Sequence, residues 1–232
     1  MISIIIPVYN QAEKIAKCLG SILSQDYHNF EVIVVNDGSK DNLDEILEAH
    51  RNLFKAVGLN FQVINQENRG SNPARNRGFK EAKGDFLLFC DADIIMKPYM
   101  LKMMRRALEK DPEASFAYSS FLWGKKLFRL WPYDPERLKK MPYIHTSSLI
   151  RREHFPGFDE KIKRLQDWDL WLTMLEQGRR GVWINKTLYK IETGGMISSW
   201  LPAFAYKLLP FLPRARRYKQ AVRIIQEKHR LK

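Results

Sequence analysis

The sequence lacks the marks of a secreted, disulfide-stabilised protein. It contains two cysteines, Cys18 and Cys90, and both lie inside apolar segments, which is typical of buried thiols in a reducing compartment. No basic segment with a following cleavage site opens the chain, so no signal peptide is expected. Internal repeats and low-complexity segments are also missing.

Glycine-rich phosphate-binding signatures are missing as well. No G-x-G-x-x-G follows the first apolar run, and the chain has no P-loop sequence. A dinucleotide site of the usual kind is therefore not expected, because such a site needs those glycines for close approach of the backbone to the pyrophosphate.

Positive charge, by contrast, is present in excess. The net charge is +13 over 232 residues, and Lys and Arg cluster after residue 213, where a single Glu accompanies them. Such a chain prefers polyanions, either nucleic acid or an anionic membrane surface, and charge alone does not choose between the two. With 45% hydrophobic residues, the chain can still bury the core of one domain.

Short apolar runs alternate with helical patterns over about the first ninety residues. Strands are predicted at residues 3–8, 30–35, 61–64 and 86–89. The predicted helices are 11–25 with Asn10 as its cap, one opened by Asp41 with Leu43, Ile46, Leu47 and Leu53 facing inward, and 73–83. This rhythm predicts a Rossmann-like parallel sheet with right-handed crossovers.

The second half of the chain has a less regular pattern. Helices are predicted at residues 97–110, 134–140 and 166–177, the last ended by Gly178. Strands are predicted at residues 114–123, 144–150, 181–184 and 187–191, and the basic-aromatic residues 125–131 show no clear structure.

Two carboxylates, Asp91 and Asp93, follow the fourth apolar run, at the carboxyl edge where open α/β sheets bind ligands. Clustered carboxylates repel each other unless a cation or hydrogen-bond donors neutralise them, and their hard oxygens suit Mg²⁺ or Mn²⁺. Turn residues that close a strand are the alternative, because Asp is common in turns.

Five segments, taken in order, resemble one known family. They are residues 4–10 (IIIPVYN), 36–39 (NDGS), 68–78 (NRGSNPARNRG), 91–93 (DAD) and 167–172 (DWDLWL). Together they resemble the inverting family 2 glycosyltransferases of the GT-A fold, and the resemblance covers roughly residues 3–190. It implies a nucleotide-sugar half at about residues 1–95 and an acceptor half at about 96–195.

The resemblance also implies which residues bind the nucleotide. Asp37 would accept a hydrogen bond from a base N–H, as it does on uracil in the family, which favours UDP-sugars. Pro7 and Tyr9 would lie against the base. Asn68 and Arg75 would contact the base and the adjoining phosphates, with a surface helix charge as the alternative for Arg75 and a packing aromatic as that for Tyr9.

At the two-carboxylate segment, the resemblance assigns Asp91 to the ribose side of the nucleotide and Asp93 to Mn²⁺ or Mg²⁺ bound to the diphosphate. The family often has a third acid next, and here Ile94 stands there, which implies fewer protein ligands and more water. His145 and His154 are expected to be structural or solvent-facing, with metal ligation by His154 left open.

The resemblance assigns the role of general base to Asp167, which would deprotonate the acceptor hydroxyl. Gln166 replaces the acid that the family has before this position. Asp169 is expected to bond the backbone at the start of the helix. Trp168 and Trp171 suit either a sugar-stacking surface or the core.

The C-terminal residues 196–232 are predicted to form a separate tail. Residues 200–213 are apolar but number fourteen and include three prolines, which is too short and too broken to span a bilayer. Cations and an amphipathic helix follow, and this combination favours a peripheral membrane segment, with a helix packed back on the domain as the alternative.

The sequence therefore predicts a metal-dependent inverting glycosyltransferase with a nucleotide-diphosphate-sugar donor. Its expected acceptor is a lipid-linked or cell-envelope glycan, and its expected location is cytoplasmic, on the inner face of the cell membrane. The alternatives are a sugar-phosphate nucleotidyltransferase, which would need a basic phosphate loop after the first strand, and a nucleic-acid-binding module. Nucleic acid is not the expected partner, because acidic strand ends repel phosphates.

Overall fold

The computed structural model describes residues 1–193 and 213–231. Its strands are β1 (Ile2–Val8), β2 (Phe30–Asn36), β3 (Asn60–Asn65), β4 (Phe86–Phe89), β5 (Ile94–Met96), β6 (Ala114–Trp123), β7 (Lys126–Phe128), β8 (Leu149–Arg151) and β9 (Arg180–Ile191). Its helices are α1 (Ala12–Leu23), α2 (Leu43–Ala56), α3 (Ser71–Glu81), α4 (Met100–Lys110), α5 (Pro135–Lys140), α6 (Gln166–Glu176) and α7 (Pro213–Lys228), with a 3-10 turn at Arg152–His154.

One sheet of nine strands runs through the molecule in the order β3-β2-β1-β4-β8-β6-β9-β5, with β7 paired to β6. The first four strands along the chain are parallel, as predicted, with β1 between β2 and β4. β1 and β2 are buried almost throughout, because helices cover both faces of a parallel sheet and their sequences are continuous apolar runs. The carboxyl ends of these strands therefore meet at one edge.

The second half of the chain extends the sheet in mixed directions. β8 is antiparallel to both β4 and β6, whereas β9 is parallel to β6 and antiparallel to β5. The two strands predicted at 181–184 and 187–191 are one strand, because an irregularity opposite Ser119 and Ser120 takes up the residues between them. The prediction of a strand at 144–150 was too long, since only Leu149–Arg151 pairs.

The capping roles predicted for Asn10 and Asp41 were wrong, and the two errors share one cause. α1 begins at Ala12, whose N–H donates to Asp41 Oδ2 at 2.9 Å, whereas Asn10 Oδ1 accepts from Lys40 N at 2.8 Å. Asp41 therefore serves α1 and not α2, which begins at Leu43. The loops after β1 and β2 are therefore tied together, because Asp41 of the second loop binds the start of α1 and Asn10 of the first loop accepts from Lys40 of the second.

The core confirms two other expectations and corrects one. Cys18 and Cys90 are buried free thiols with their sulfurs 3.6 Å apart. Leu53, predicted to face inward from α2, is 51% exposed, and its neighbour Phe54 is buried instead.

The C-terminal helix α7 packs on the rest of the chain, which agrees with the alternative prediction of a tail helix packed back on the domain. Ala215, Ile225 and His229 are buried on its inner side. Residues 194–212, with most of the apolar segment of the predicted tail, lie outside the described residues. In the part of the chain that is described, no helix combines the length and the apolar character that crossing a membrane requires.

Candidate active site

The parallel edge of the sheet gathers most of the residues predicted for the nucleotide. Pro7 pairs with Val35 near the ends of β1 and β2, and Tyr9 follows β1 as a half-buried side chain. Asp37 follows β2, and its N–H donates to Val8 O at 2.9 Å, which ties the two strand ends together. The roles of these residues in binding the nucleotide stay predictions.

Asp37 organises the loop that carries Asn68. Its carboxylate is 3% exposed and accepts three hydrogen bonds, from Gln66 Nε2 at 2.7 Å, Arg69 N at 2.9 Å and Gly70 N at 2.8 Å. Asn68 itself is exposed at the tip of this loop. The carboxylate of Asp37, predicted to accept a hydrogen bond from the base, thus already accepts three hydrogen bonds from residues 66–70, and these bonds fix the conformation of the loop.

Arg75 is not a surface charge, because only 4% of the residue is exposed. Its Nη2 contacts Asp91 Oδ1 at 2.7 Å, and its Nη1 lies 3.0 Å from Asn72 Oδ1 and 3.5 Å from Gln166 Oε1. The guanidinium lies over the ring of Phe158, 5.2 Å from its centroid. One buried cation therefore joins the end of β4 to the start of α6.

The electrostatics separate the two carboxylates of the pair. Burial raises the pKa of Asp91, but the charge of Arg75 and the hydrogen bond that it donates, helped by the nearby His145 ring, outweigh burial and leave that pKa below its ordinary value. Burial and the neighbouring Asp91 raise the pKa of Asp93 to about 6. Asp91 is already neutralised by an arginine, whereas Asp93 forms no ion pair with a cationic side chain in the described residues.

Asp93 fits a divalent cation by its chemistry, because it offers hard oxygens and, among the described residues, forms no ion pair, although the charge of Lys14 acts on it from farther away. Glu192 was missed by sequence reasoning. Its N–H donates to Asp93 O at 2.9 Å, and its negative charge adds to the rise in the pKa of Asp93. Residues 1–193 and 213–231 contain no cluster of three His, Cys, Asp or Glu side chains able to hold a metal, so further oxygens would have to come from substrate and water.

His154 lies away from this edge. It follows β8, whose Arg151 pairs with Phe86 at the start of β4, while Asp93 comes after the end of β4. The option of metal ligation by His154 is therefore excluded by its position.

Asp167 lies in the first turn of α6, where its Oδ1 accepts from the N–H of Trp168 at 2.8 Å. Burial raises its pKa, against the opposing effects of His145 and Arg75. Gln166 Nε2 donates to Ser71 Oγ at 3.0 Å and so links α6 to α3. A half-buried carboxylate with a raised pKa is suited to accept a proton.

The two tryptophans of α6 belong to the core and not to a sugar-stacking surface. Trp168 and Trp171 are 1% and 0% exposed, and their Nε1 atoms donate to Leu138 O at 2.6 Å and Ile144 O at 2.8 Å. The stacking alternative for these rings is therefore wrong. Sequence periodicity could not reveal this, because the same pattern serves both purposes.

The expectation for Asp169 was also wrong. Its side chain is 4% exposed, and Oδ1 lies 2.8 Å from His229 Nε2 and 2.7 Å from Lys228 Nζ. Asp169 therefore binds the C-terminal helix α7 and not the backbone of its own helix.

His145 joins the site, although it was expected to be structural or solvent-facing. It is half-buried between Phe121 and Tyr189, with ring centroids at 5.5 and 5.7 Å. Burial lowers its pKa, while Asp91 and Asp167 both act to raise it, so the imidazole stands near both carboxylates. Nothing in its immediate sequence could have shown this, because the partners come from distant segments.

Sequence comparison places this geometry in a family. The family described as Glycosyl transferase family 2 matches residues 3–168. Glycosyltransferase GlyA of Streptococcus pneumoniae serotype 4 is 35% identical over 233 residues, which is 90% of this chain and 33% of that protein. The putative glycosyltransferase EpsE of Bacillus subtilis is 28% identical over 204 residues, 82% of this chain and 72% of that protein. The chain spans 37%, 31%, 30% and 33% of the length of four such relatives.

Solved structures share the fold. Residues 1–349 of TarS from S. aureus, in complex with UDP-GlcNAc, superpose with a TM-score of 0.71 at 21% identity, covering 98% of this chain and 72% of that one. The mannosyltransferase PcManGT from Pyrobaculum calidifontis, in complex with GDP-Man and Mn2+, gives a TM-score of 0.69 at 20% identity, covering 96% and 64%. These likenesses confirm the predicted GT-A α/β fold. The match over residues 3–168 shows that this chain belongs to glycosyl transferase family 2.

Proposed function

We propose that this chain transfers a sugar from a nucleotide-diphosphate sugar to an acceptor hydroxyl with inversion at the anomeric carbon. The observation that carries the proposal is the buried Arg75, which contacts both Asp91 after β4 and Gln166 at the start of α6. This contact brings the carboxylates of the donor edge and the carboxylate of Asp167 to one place. UDP-sugars are the favoured donors, because the family resemblance implies that Asp37 accepts from uracil, and Oδ2 of its carboxylate, which has one loop donor, can accept a second hydrogen bond.

The donor half holds the nucleotide. Pro7 and Tyr9 flank the base at the end of β1, and Asn68 reaches it from the loop that Asp37 fixes. Asp91 accepts from the ribose while Arg75 holds it in place and keeps it ionised. These groups would orient the diphosphate so that the anomeric carbon faces α6.

Asp93 would hold Mn²⁺ or Mg²⁺ through its carboxylate oxygens, while Glu192, whose own carboxylate pairs with Lys17 at 3.2 Å, adds negative charge nearby. When bound, such an ion stabilises negative charge on a departing diphosphate.

Asp167 acts as the base. It removes the proton of the acceptor hydroxyl, whose oxygen forms a bond to the anomeric carbon as the bond from that carbon to the diphosphate oxygen breaks. The proton remains on Asp167 and the electron pair leaves with the nucleoside diphosphate. The raised pKa of Asp167 favours this proton transfer, because the carboxylate is a stronger base than one in water.

The test combines binding and turnover. The chain is titrated by calorimetry with UDP, UDP-GlcNAc, GDP and GDP-mannose, with Mn²⁺ or with a chelator, and release of nucleoside diphosphate is followed. Asp167→Asn is expected to bind donor as the wild type does and to lose at least about a hundredfold in turnover. Asp111→Asn, on a carboxylate paired with Arg180 away from the cleft, is the matched control.

Retained turnover in Asp167→Asn would remove the base from the proposal. Failure of the wild type to bind any of the four nucleotides would remove the donor site. The two rival functions have their own readouts. Formation of a nucleotide sugar from nucleoside triphosphate and sugar phosphate would favour a nucleotidyltransferase, although no cation stands among Tyr9, Asn10 and Gln11 after β1. Salt-sensitive DNA binding without turnover would favour the nucleic-acid module.

We further propose that α7 rests on an anionic membrane surface, which would place the enzyme on the inner face of the cell membrane near a lipid-linked or cell-envelope glycan acceptor. Its outer side exposes Arg216, Arg217, Lys219 and Arg223, and beside them Ile224 is 46% exposed. Cations around an apolar side chain suit the headgroup region of anionic lipids.

The membrane test uses charge reversal, because deleting α7 would also remove its packing on α6. Arg216→Glu, Arg217→Glu and Lys219→Glu together should abolish cosedimentation with vesicles of phosphatidylglycerol and phosphatidylcholine. The control reverses the exposed Arg106, Lys110 and Lys125, which gives the same net charge with α7 intact. Equal loss in both variants would show a general charge effect, which would overturn the assignment of the surface to α7.

A further inference from the structure

His145 lies in a loop that is fixed to both sides of the candidate active site. Ser147 Oγ donates to Phe89 O at 3.3 Å, at the end of β4 that leads into Asp91. On the other side, Trp171 Nε1 of α6 donates to Ile144 O at 2.8 Å. The loop therefore holds His145 between the strand that presents Asp91 and the helix that presents Asp167.

The hydrogen bonds of the loop also fix the state of the ring. The backbone N–H of Ser147 donates to His145 Nδ1 at 3.1 Å. A backbone N–H can only donate, so Nδ1 must carry a lone pair and the imidazole must be neutral, with its proton on Nε2. The orientation of the ring is set by Phe121 and Tyr189, which are stacked on each other with centroids 5.4 Å apart and both flank His145.

The Nε2–H of His145 is available to donate a hydrogen bond to a ligand. Within the described part of the chain, His145 Nε2 donates to no residue, although the ring is half-buried. A donor in a partly closed site that lacks a partner costs stability unless a ligand or water satisfies it. The same tautomer argues against metal ligation, because the nitrogen that faces away from Ser147 carries the proton.

We propose that His145 is a sugar-binding residue, which donates its Nε2–H to a hydroxyl oxygen of a sugar bound between Asp91 and Asp167. The inference rests on the proposed glycosyl transfer and deepens it, since it names the group that recognises the sugar and not the nucleotide.

The chemistry of the surroundings selects a hydroxyl over an anion. A phosphate would meet a neutral donor, the carboxylate of Asp167 and an Arg75 already paired with Asp91, so no unpaired cation among these groups would attract it. A hydroxyl group can accept from Nε2–H and at the same time donate to a carboxylate, so it satisfies both kinds of neighbour. The hydroxyl belongs either to the sugar of the donor or to the acceptor, and binding measurements separate the two.

The test compares His145→Phe, which keeps a ring between Phe121 and Tyr189 but removes the donor, with His145→Gln, which restores an amide N–H at a similar reach. If the donor sugar is the ligand, His145→Phe should weaken binding of UDP-GlcNAc or GDP-mannose, whichever the wild type binds, about tenfold, leave UDP and GDP unchanged, and be partly rescued by His145→Gln. If the acceptor is the ligand, donor binding stays the same and the KM for acceptor rises by a similar factor.

His154→Phe is the matched control, because the same change is made at a partly buried histidine at the other end of β4. Thermal unfolding of all variants is recorded beside the titrations, so that a general loss of folding is recognised. Sugar affinity and acceptor KM both unchanged in a folded His145→Phe would overturn the inference while leaving the transferase intact. Equal weakening of UDP and UDP-GlcNAc would also overturn it, and absence of any nucleotide binding by the wild type would overturn both.

Discussion

The two halves of the sheet are held together by different means. The donor half, through β4, is built from parallel strands with local crossovers, and its key charge pair, Arg75 with Asp91, is sixteen residues apart along the chain. The acceptor half depends on distant segments, since Asp169 of α6 is neutralised by Lys228 and His229 at the end of α7. We therefore expect the first half to form without the C-terminal segment, whereas full stability of the helix that carries Asp167 should require that segment to dock.

Removing one ion-paired arginine from each half should give the largest difference in stability between the two halves. Arg75→Met leaves Asp91 without its cation, and Arg180→Met does the same to Asp111. The acids are similarly exposed, 30% and 28%, but the arginines are 5% and 46% exposed. We expect urea unfolding to show a loss of about 2–3 kcal/mol for Arg75→Met and less than about 1 kcal/mol for Arg180→Met. Equal losses would show that burial of the arginine does not set the strength of the pair.

The clamp between α6 and α7 is the corresponding weak point of the acceptor half. His229 lies 2.8 Å from both Asp169 Oδ1 and Glu176 Oε1, and each ring nitrogen needs a proton to donate to them. His229→Gln should lower the free energy of unfolding by about 1–2 kcal/mol and speed amide exchange in α7 before it affects β1 or β2. The exposed His28→Gln is the control and should change stability by less than about 0.5 kcal/mol. Uniform exchange across the sheet would contradict a separate docking step.

The same histidine gives the acceptor half a pH dependence. Burial opposes protonation, but the hydrogen bonds that His229 donates to Asp169 and Glu176 outweigh it and raise the pKa of His229 above its ordinary 6.5. A raised pKa means that the contribution is complete below that ordinary value and is lost as pH rises through the folded value. The stability difference between wild type and His229→Gln should therefore be largest below pH 6.5 and shrink as the pH rises above it. A difference that grows with pH would contradict the charged clamp.

In the donor half, the smallest change tests how closely α3 packs on the sheet. A Cβ at Gly78 would lie 2.5 Å from Ile5 Cγ2 and 3.2 Å from Val35 Cγ2, whereas a Cβ at Gly20 of α1 would meet nothing within 4 Å. Gly78→Ala should therefore destabilise the protein by about 1–2 kcal/mol, and Gly20→Ala should stabilise it by up to about 1 kcal/mol. Thermal unfolding measures both, and stabilisation by Gly78→Ala would show that α3 can shift away from β1.

The sequence predicted the parallel half of the sheet better than the half with mixed strand directions. The parallel strands were found because a strand covered on both faces must be a continuous apolar run, and the carboxylates after β4 followed from that placement. Asp41 and Asn10 were assigned to their own helices, since a local pattern cannot show that each side chain bonds the other loop. These cross-loop bonds depend on how the first two crossovers pack.

The rest of the site could not be found from spacing, because its members approach one another only in the folded sheet. Glu192 reaches Asp93 through the pairing of β5 with β9, and His145 reaches both carboxylates through a loop held by Phe89 and Trp171. Trp168 and Trp171 face inward and donate hydrogen bonds to the backbone carbonyls of Leu138 and Ile144, which are distant in sequence. Periodicity gives the side of a helix that is apolar, but not whether a sugar or a neighbouring loop covers it.

The cross-loop bond to Asp41 makes one backbone group a reporter of motion at the donor edge. The N–H of Ala12 is protected by a carboxylate from the next crossover and not by its own helix. Its deuterium uptake therefore measures how often the loops after β1 and β2 separate, independently of fraying in α1. Because Tyr9 and Asp37 lie in these same two loops, a bound nucleotide that bridges them would slow that one amide more than its neighbours within the helix.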